Sequence, residues 1–226
     1  MTRIYYFSAA GHSRAVAQYM ARMLGAPLYE IGREPVLPAD TAVIVFPVYC
    51  QNIPAPVKAF LPSILAENAA LIATYGKMGY GDVLREAAEL VKGRVIAGAY
   101  VPTGHTYLGE GISSDYGNLQ PLIDRIRAPR PVTIPHRRKW WLAGVFPGLR
   151  SRWGVGLKKT GTCTECGLCS RNCPMNAMKN GKPGRACIRC LRCATQCPMQ
   201  GICVSYHPLL RFYLRKTRQE ELVLYL

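Results

Sequence analysis

CTECGLCSRNCP, Cys163 to Pro174, comes round again as CIRCLRCATQCP, Cys187 to Pro198. Both copies read C-x2-C-x2-C-x3-C-P, so eight of the ten cysteines serve one repeated pattern. Three cysteines two apart wrap a short loop around one face of a cubane iron–sulfur cluster. The fourth, followed by proline, points away and ligates the other cluster. On that crossed scheme Cys163, Cys166, Cys169 and Cys197 hold one [4Fe–4S] cluster, and Cys187, Cys190, Cys193 and Cys173 hold the second. Soft thiolate donors suit iron, and four per cluster use all eight. Zinc and disulfides are the competing readings. Structural zinc sites take C-x2-C pairs separated by a longer loop. The N-terminus, MTRIYYFSAAGHSRAV, shows no signal-peptide pattern, so a cytoplasmic, reducing location is expected, where clustered cysteines bind metal more often than they cross-link.

The segment from Cys163 to Ile202 resembles the bacterial two-cluster ferredoxins, including PMNAM and PMQGI at the end of each motif. The resemblance implies a small α+β domain over residues 161–204 that relays single electrons between two nearby clusters. One departure is the spacer PMNAMKNGKPGRA, short, basic and glycine-rich, which points to a trimmed hairpin between the motifs. Potentials of iron–sulfur proteins span about −700 to +450 mV. Arg171, Lys179, Lys182, Arg185, Arg189 and Arg192 raise the potentials if they lie near the clusters, and otherwise form a solvated basic surface.

The first 128 residues alternate strand and helix patterns. RIYYF, PLYEI, TAVIVF, AALIAT and RVIAGAYV read as strands, with TAVIVF a continuous apolar run of the kind buried parallel strands show and AALIAT another buried strand. Helices are expected after Ser13, from IPAPVKAFLPSI, from GDVLREAAELVK and from SSDYGNLQPLIDRI. This alternation predicts an α/β domain, a doubly wound parallel sheet with its ligand site at the carboxyl ends of the strands. Three loops fall there: SAAGHSR, PVYCQNIP and TYGKMGYG. The first is rich in small and hydroxyl residues and opens a helix, which suits a phosphate monoester. It lacks G-x-G-x-x-G and GK[ST]. Tyr49, Tyr75 and Tyr80 in the other two are candidates for stacking on a flat ring.

YYFSAAGHSRAVAQYMA, FPVYCQNIPAPVKAFL and LIATYGKMGYGDVLREA resemble the three FMN-binding loops of flavodoxins, and the whole chain, VPTGHTYL included, is similar to flavodoxin–ferredoxin fusion proteins of anaerobes. The resemblance implies a flavodoxin-like sheet of order 2-1-3-4-5 over residues 1–128. It assigns Ser8, Ala9, Ala10, Gly11, His12 and Ser13 to the FMN phosphate. It assigns Pro47, Val48, Tyr49, Cys50, Asn52, Thr74, Tyr75, Gly76, Gly79 and Tyr80 to the flavin ring. Two residues depart from the flavodoxin pattern. Ala10 replaces a usual hydroxyl, and Cys50 stands where flavodoxins often have glycine, so a positive φ there costs more. Cys50 and Cys203, outside the repeat, also read as small buried side chains. A flavodoxin-like domain that binds no flavin and serves to dock a partner is the alternative.

Residues 129–160 read as a basic linker rich in tryptophan, proline and glycine. It carries Trp140, Trp141 and Trp153 among eight Arg and Lys residues, and suits packing between domains, docking of an acidic redox partner, or contact with an anionic membrane surface. WWLAGVFPGL is too short to span a bilayer. Residues 205–226 read as an amphipathic helix with an apolar end, packed on one of the domains. The net charge of +16 suits acidic redox proteins, while no nucleic-acid-reading motif is present. No nucleophile–base pair is legible, and the four histidines are scattered, with His12 and His105 in loops at the flavin edge. The expected function is electron relay between FMN and two [4Fe–4S] clusters. A cluster-fed flavin reductase of a quinone or other small acceptor is the enzymatic alternative.

Overall fold

The continuous apolar runs become the central strands of a sheet in the computed structural model, which describes residues 1–145, 152–215 and 219–226. β1 (Thr2–Tyr6) leads through a turn at Gly11 into α1 (His12–Leu24). That helix packs Val16, Ala17 and Met20 on the sheet. β2 (Leu28–Glu30) and β3 (Ala39–Pro47) pair with β1 on opposite sides, both parallel. After α2 (Ala55–Phe60) come β4 (Ala66–Tyr75), α3 (Val83–Ala88), β5 (Arg94–Pro102) and α4 (Gln120–Arg127).

Side chains alternate across each strand. Ile4, Tyr6, Val43, Val45, Ile72 and Val101 form one core with α1 and α4. Tyr5, on the other face of β1, meets Phe60 of α2, and Tyr100, on the other face of β5, meets α3 through the amide of Leu84. Each buried Val, Leu or Ile contributes about 1.5–3 kcal/mol, and these two layers hold the sheet.

The expected order 2-1-3-4-5 is present but is not the whole sheet. α5 (Trp141–Val145) comes after α4, and the chain continues through β6 (Val155–Lys159), α6 (Leu168–Arg171), β7 (Met178–Lys179) and β8 (Lys182–Pro183). Next come α7 (Arg192–Thr195), β9 (Ile202–Tyr206), α8 (Pro208–Leu214) and β10 (Val223–Tyr225). β10 returns to the first sheet and lies antiparallel beside β5, giving the order β10-β5-β4-β3-β1-β2.

The chain divides into two compact units, one of residues 1–143 with the C-terminal strand, the other of described residues between 144 and 215. The cysteine-rich unit is therefore inserted before the last strand of the sheet rather than appended behind it.

The expected linker over 129–160 is a second difference. Residues up to Ala143 belong to the sheet unit. Val132 N–H donates to Val95 O, Ile134 is buried, and His136 Nδ1 and the Arg137 amide meet the carboxylate of Asp82 at 2.7 and 2.9 Å. Residues 155–159 form β6, paired with β9 in the second unit. Residues 146–151 of the basic stretch and 216–218 of the tail lie outside the described residues. Trp140, Trp141 and Trp153 are exposed. Among the described residues no helix is long and apolar enough to cross a membrane.

Candidate functional site

The two cysteine motifs fold as copies of one another. Positive φ falls at Glu165 and Gly167 in the first and at Arg189 and Leu191 in the second, and again at Asn176 and Gln200. Each copy then runs into a four-residue helix, α6 or α7. Ala177 N–H donates to Cys173 Sγ at 3.2 Å, and Gly201 N–H donates to Cys197 Sγ at the same distance. Leu191 replaces the glycine of the first copy. A left-handed leucine costs about 1–2 kcal/mol, and its burial offsets that strain.

Two cavities open in this unit. One is lined by Cys163, Cys166, Cys169 and Cys197, and also by Cys193. The other is lined by Cys187, Cys190, Cys193 and Cys173. Each fourth cysteine thus sits with the triplet of the other copy. Among the described residues, no three His, Cys, Asp or Glu side chains converge on a point that a single metal ion could fill. A mononuclear thiolate site needs its sulfurs about 2.3 Å from one centre. A cubane offers each thiolate a separate iron and so spreads its ligands around a cavity. The four-thiol sets fit one [4Fe–4S] cluster each.

The two sites differ in exposure. Cys166 is exposed, and its thiol is held below the usual range, first by the Leu168 N–H and further by the Thr164 side chain and the Arg171 charge. Cys187 and Cys193 are buried. Burial pushes the Cys190 thiol up to about 11 and that of Cys193 to about 12, against the Arg192 N–H and charge acting on Cys190. A cation or cluster entering the second cavity must therefore displace protons. Cys203 lies exposed on β9 and Cys50 is exposed on the sheet unit, so the expectation of two buried small side chains is corrected.

In the sheet unit the loops after β1, β3 and β4 gather at the carboxyl edge, where the order reverses at β1. In the first, Gly11 takes φ 99 and its N–H donates to Ser8 Oγ. Ser13 Oγ bonds Thr74 Oγ1 at 2.7 Å, which ties the first loop to the end of β4. Ser8, Ala9, His12 and Ser13 are buried, while Ala10 and Gly11 are half-buried. Burial lowers the pKa of His12, with Glu110 opposing, and its buried Nδ1 has no hydrogen-bond partner within the chain. An orphaned buried nitrogen beside a helix N-terminus fits an anionic group there.

In the second loop, following Pro47 and Val48, Tyr49 and Asn52 exchange backbone bonds at 3.0 and 2.9 Å across a two-residue turn. Cys50 and Gln51 at its centre have φ 52 and 61, the geometry that asparagine and glycine usually supply. Cys50→Gly should stabilise the sheet unit by about 0.5–1 kcal/mol, because glycine escapes the left-handed penalty but loses more chain entropy. A raised urea midpoint checks this; a lowered one would show that the thiol holds the turn.

The third loop corrects the stacking expectation. Tyr75 and Tyr80 are buried. Tyr80 stacks on Tyr100 at 4.0 Å, Tyr75 meets Tyr80 edge-on at 5.0 Å, and Tyr75 OH donates to Glu221 O at 2.6 Å. Burial raises the Tyr75 phenol to about 12. These rings pack on one another beneath the C-terminal strand. Of the three tyrosines, only Tyr49 stays half-buried at the edge. Gly76 and Gly79 allow close approach there: a Cβ on Gly76 would strike the His105 ring at 2.5 Å, and one on Gly79 the Gln51 side chain at 2.6 Å.

Sequence reasoning missed the segment after residue 136 at this edge. Lys139 Nζ donates to Asn52 Oδ1 at 2.8 Å and pairs with Glu86 at 2.6 Å. Trp140 N–H donates to Gln51 Oε1, and Asn52 Nδ2 donates to Ala143 O, both at 2.8 Å. The run of basic residues and tryptophans was the only signal, and it does not say which loop it meets. His105 and Tyr107, in edge contact at 5.7 Å, supply further half-buried rings.

No family model and no curated protein matches the chain. Among solved structures, a "putative flavoprotein" from Bacteroides uniformis ATCC 8492 aligns at 17% identity and a TM-score of 0.40, over 54% of this chain and 97% of its own. A second, from Bacteroides eggerthii DSM 20697, aligns at 17% identity and a TM-score of 0.40, over 56% of this chain and 97% of its own.

Proposed function

We propose that the chain is an electron carrier that relays electrons between FMN on the sheet unit and two [4Fe–4S] clusters in the cysteine-rich unit. The observation that supports this reading is the crossed lining of two cavities, in which each cysteine triplet shares its cavity with the fourth cysteine of the other motif. FMN would supply two-electron chemistry, and each cluster would pass one electron at a time.

The residues divide that work. Cys163, Cys166, Cys169 and Cys197 hold the cluster nearer to solvent, since Cys166 is exposed. Cys173, Cys187, Cys190 and Cys193 hold the more enclosed one. The amides of Ala177 and Gly201 hold the sulfurs of Cys173 and Cys197 in place. Ser8, Ala9, Ala10, Gly11, His12 and Ser13 hold the FMN phosphate. Pro47, Val48, Tyr49, Cys50 and Asn52, with Thr74, Gly76 and Gly79, border the ring, and His105 stands beside Gly76. The expected stacking role of Tyr75 and Tyr80 is withdrawn from this assignment. With a net charge of +16, the partner is an acidic redox protein meeting the cluster exposed at Cys166.

Purification without oxygen, followed by release of cofactors, tests the reading. About eight iron atoms and one FMN per chain are expected. Zinc in place of iron would overturn the cluster assignment. Iron without FMN, even after FMN is supplied, would reduce the sheet unit to a docking domain.

A further inference from the structure

The two motif copies align position by position in sequence, and one of the positions where they differ in kind opens the short helix. Leu168 opens α6 in the first copy, and Arg192 opens α7 in the second. Leu168 is half-buried, while Arg192 is only 3% exposed. Arg192 also lines both cysteine cavities, as Cys193 beside it does. A guanidinium removed from water costs several kcal/mol unless anionic charge compensates it. The turn itself does not require an arginine, because leucine serves it in the other copy. What the location offers is proximity to both thiolate sets at once. A [4Fe–4S] cluster with four thiolates is anionic and becomes more so when reduced. Enclosure of the second cavity disfavours that extra charge.

We propose that Arg192 is an interior cation shared by the two cluster sites, which stabilises their reduced forms and acts most strongly on the cluster of Cys173, Cys187, Cys190 and Cys193. This rests on the cluster reading above. It separates Arg192 from the exposed Arg171, Lys182 and Arg185, whose fields water and salt screen. Electrons could then enter the enclosed cluster without the energetic step its burial would otherwise impose.

The test uses the full chain, purified without oxygen, as wild type, Arg192→Leu, Arg192→Lys and Lys182→Gln. Leucine is chosen because the first copy shows that the turn accepts it. Iron per chain is counted first, then each cluster is titrated potentiometrically and followed by electron paramagnetic resonance. Arg192→Leu should keep its iron and lower the reduction equilibrium constant of one cluster about tenfold, a 59 mV drop for one electron. The other cluster should shift less. Arg192→Lys and Lys182→Gln should stay within about twofold of wild type. An iron-replete leucine chain with both constants unchanged overturns the proposal.

If the leucine chain loses iron, the lysine chain decides. Full iron with wild-type constants supports a required charge. Displaced constants, or loss of iron from both variants, reject it. A wild-type chain without iron fails earlier, at the count, and rejects the cluster reading itself.

Discussion

A chain carrying Cys197→Ser should retain about four of about eight iron atoms, and the cluster it loses should be that of Cys163, Cys166 and Cys169, not that of its sequence neighbours Cys190 and Cys193. The reason is the crossed lining: Cys197 borders the cavity of the first triplet, and Cys173 borders the cavity of the second. A second substitution identifies the vacated site. Cys197→Ser with Cys166→Ser should still hold about four iron atoms, because both changes strike one cluster. Cys197→Ser with Cys187→Ser should hold almost none. The reverse pattern, iron lost in the first pair and kept in the second, would establish uncrossed ligation and remove the main support for the proposed function. The singly substituted chain should also lose unit stability, since this small unit has little apolar core and a bound cluster contributes to folding directly.

Deleting residues 219–226 should lower the stability of the sheet unit by about 3–5 kcal/mol, or its Tm by about 10 °C. The lost strand pairs Val223, Leu224 and Tyr225 with Tyr100, Ala99 and Gly98. Val223 is buried, and the strand covers the tyrosine stack beneath it. Gly98 permits that cover, because a Cβ there would strike Ile134 at 2.6 Å and Tyr225 at 3.3 Å. Deletion also exposes an unpaired edge of β5, strips Tyr75 OH of Glu221 O, and takes Tyr225 OH from Arg137 Nε, which donates to it at 2.8 Å. The exposed Lys77–Glu220 pair adds little to the loss. Val223→Asp, which buries a carboxylate without shortening the chain, should cost a comparable amount. If the truncated chain unfolds at the wild-type temperature, β10 is an ornament rather than part of the domain.

Several features could be read from residues alone because the forces that set them are local. The cysteine spacing dictates which sulfurs share a loop, and the proline after each fourth cysteine turns the chain away. The five parallel strands and the helices between them follow from apolar runs and helical spacing, which encode burial at short range. Even the junction of the three loops at the carboxyl edge follows from strand alternation, since right-handed crossovers place every such loop on one side.

Other features needed the tertiary structure. Tyr49, Tyr75 and Tyr80 look alike in sequence, each an aromatic in a loop that follows a strand pattern. Whether a ring meets a ligand or another ring depends on what lies above it, and Tyr100 and Glu221 come from distant segments. The stretch from Pro131 to Ala143 reads as a linker by its prolines and charges, yet its hydrogen bonds to Val95, Asp82 and Asn52 bind it to the sheet. Three residues at the end of the chain carry no pattern long enough to announce a strand, and the backbone edge they satisfy belongs to β5, far away in sequence. Arg192 was legible only as one basic residue among many. Its burial between two thiol-lined cavities is a property of packing. Local spacing determined the cysteine scaffold and the parallel sheet, and long-range contact alone decided which strand closes the sheet, which aromatics lie inside it and which cation the cysteine-rich unit encloses.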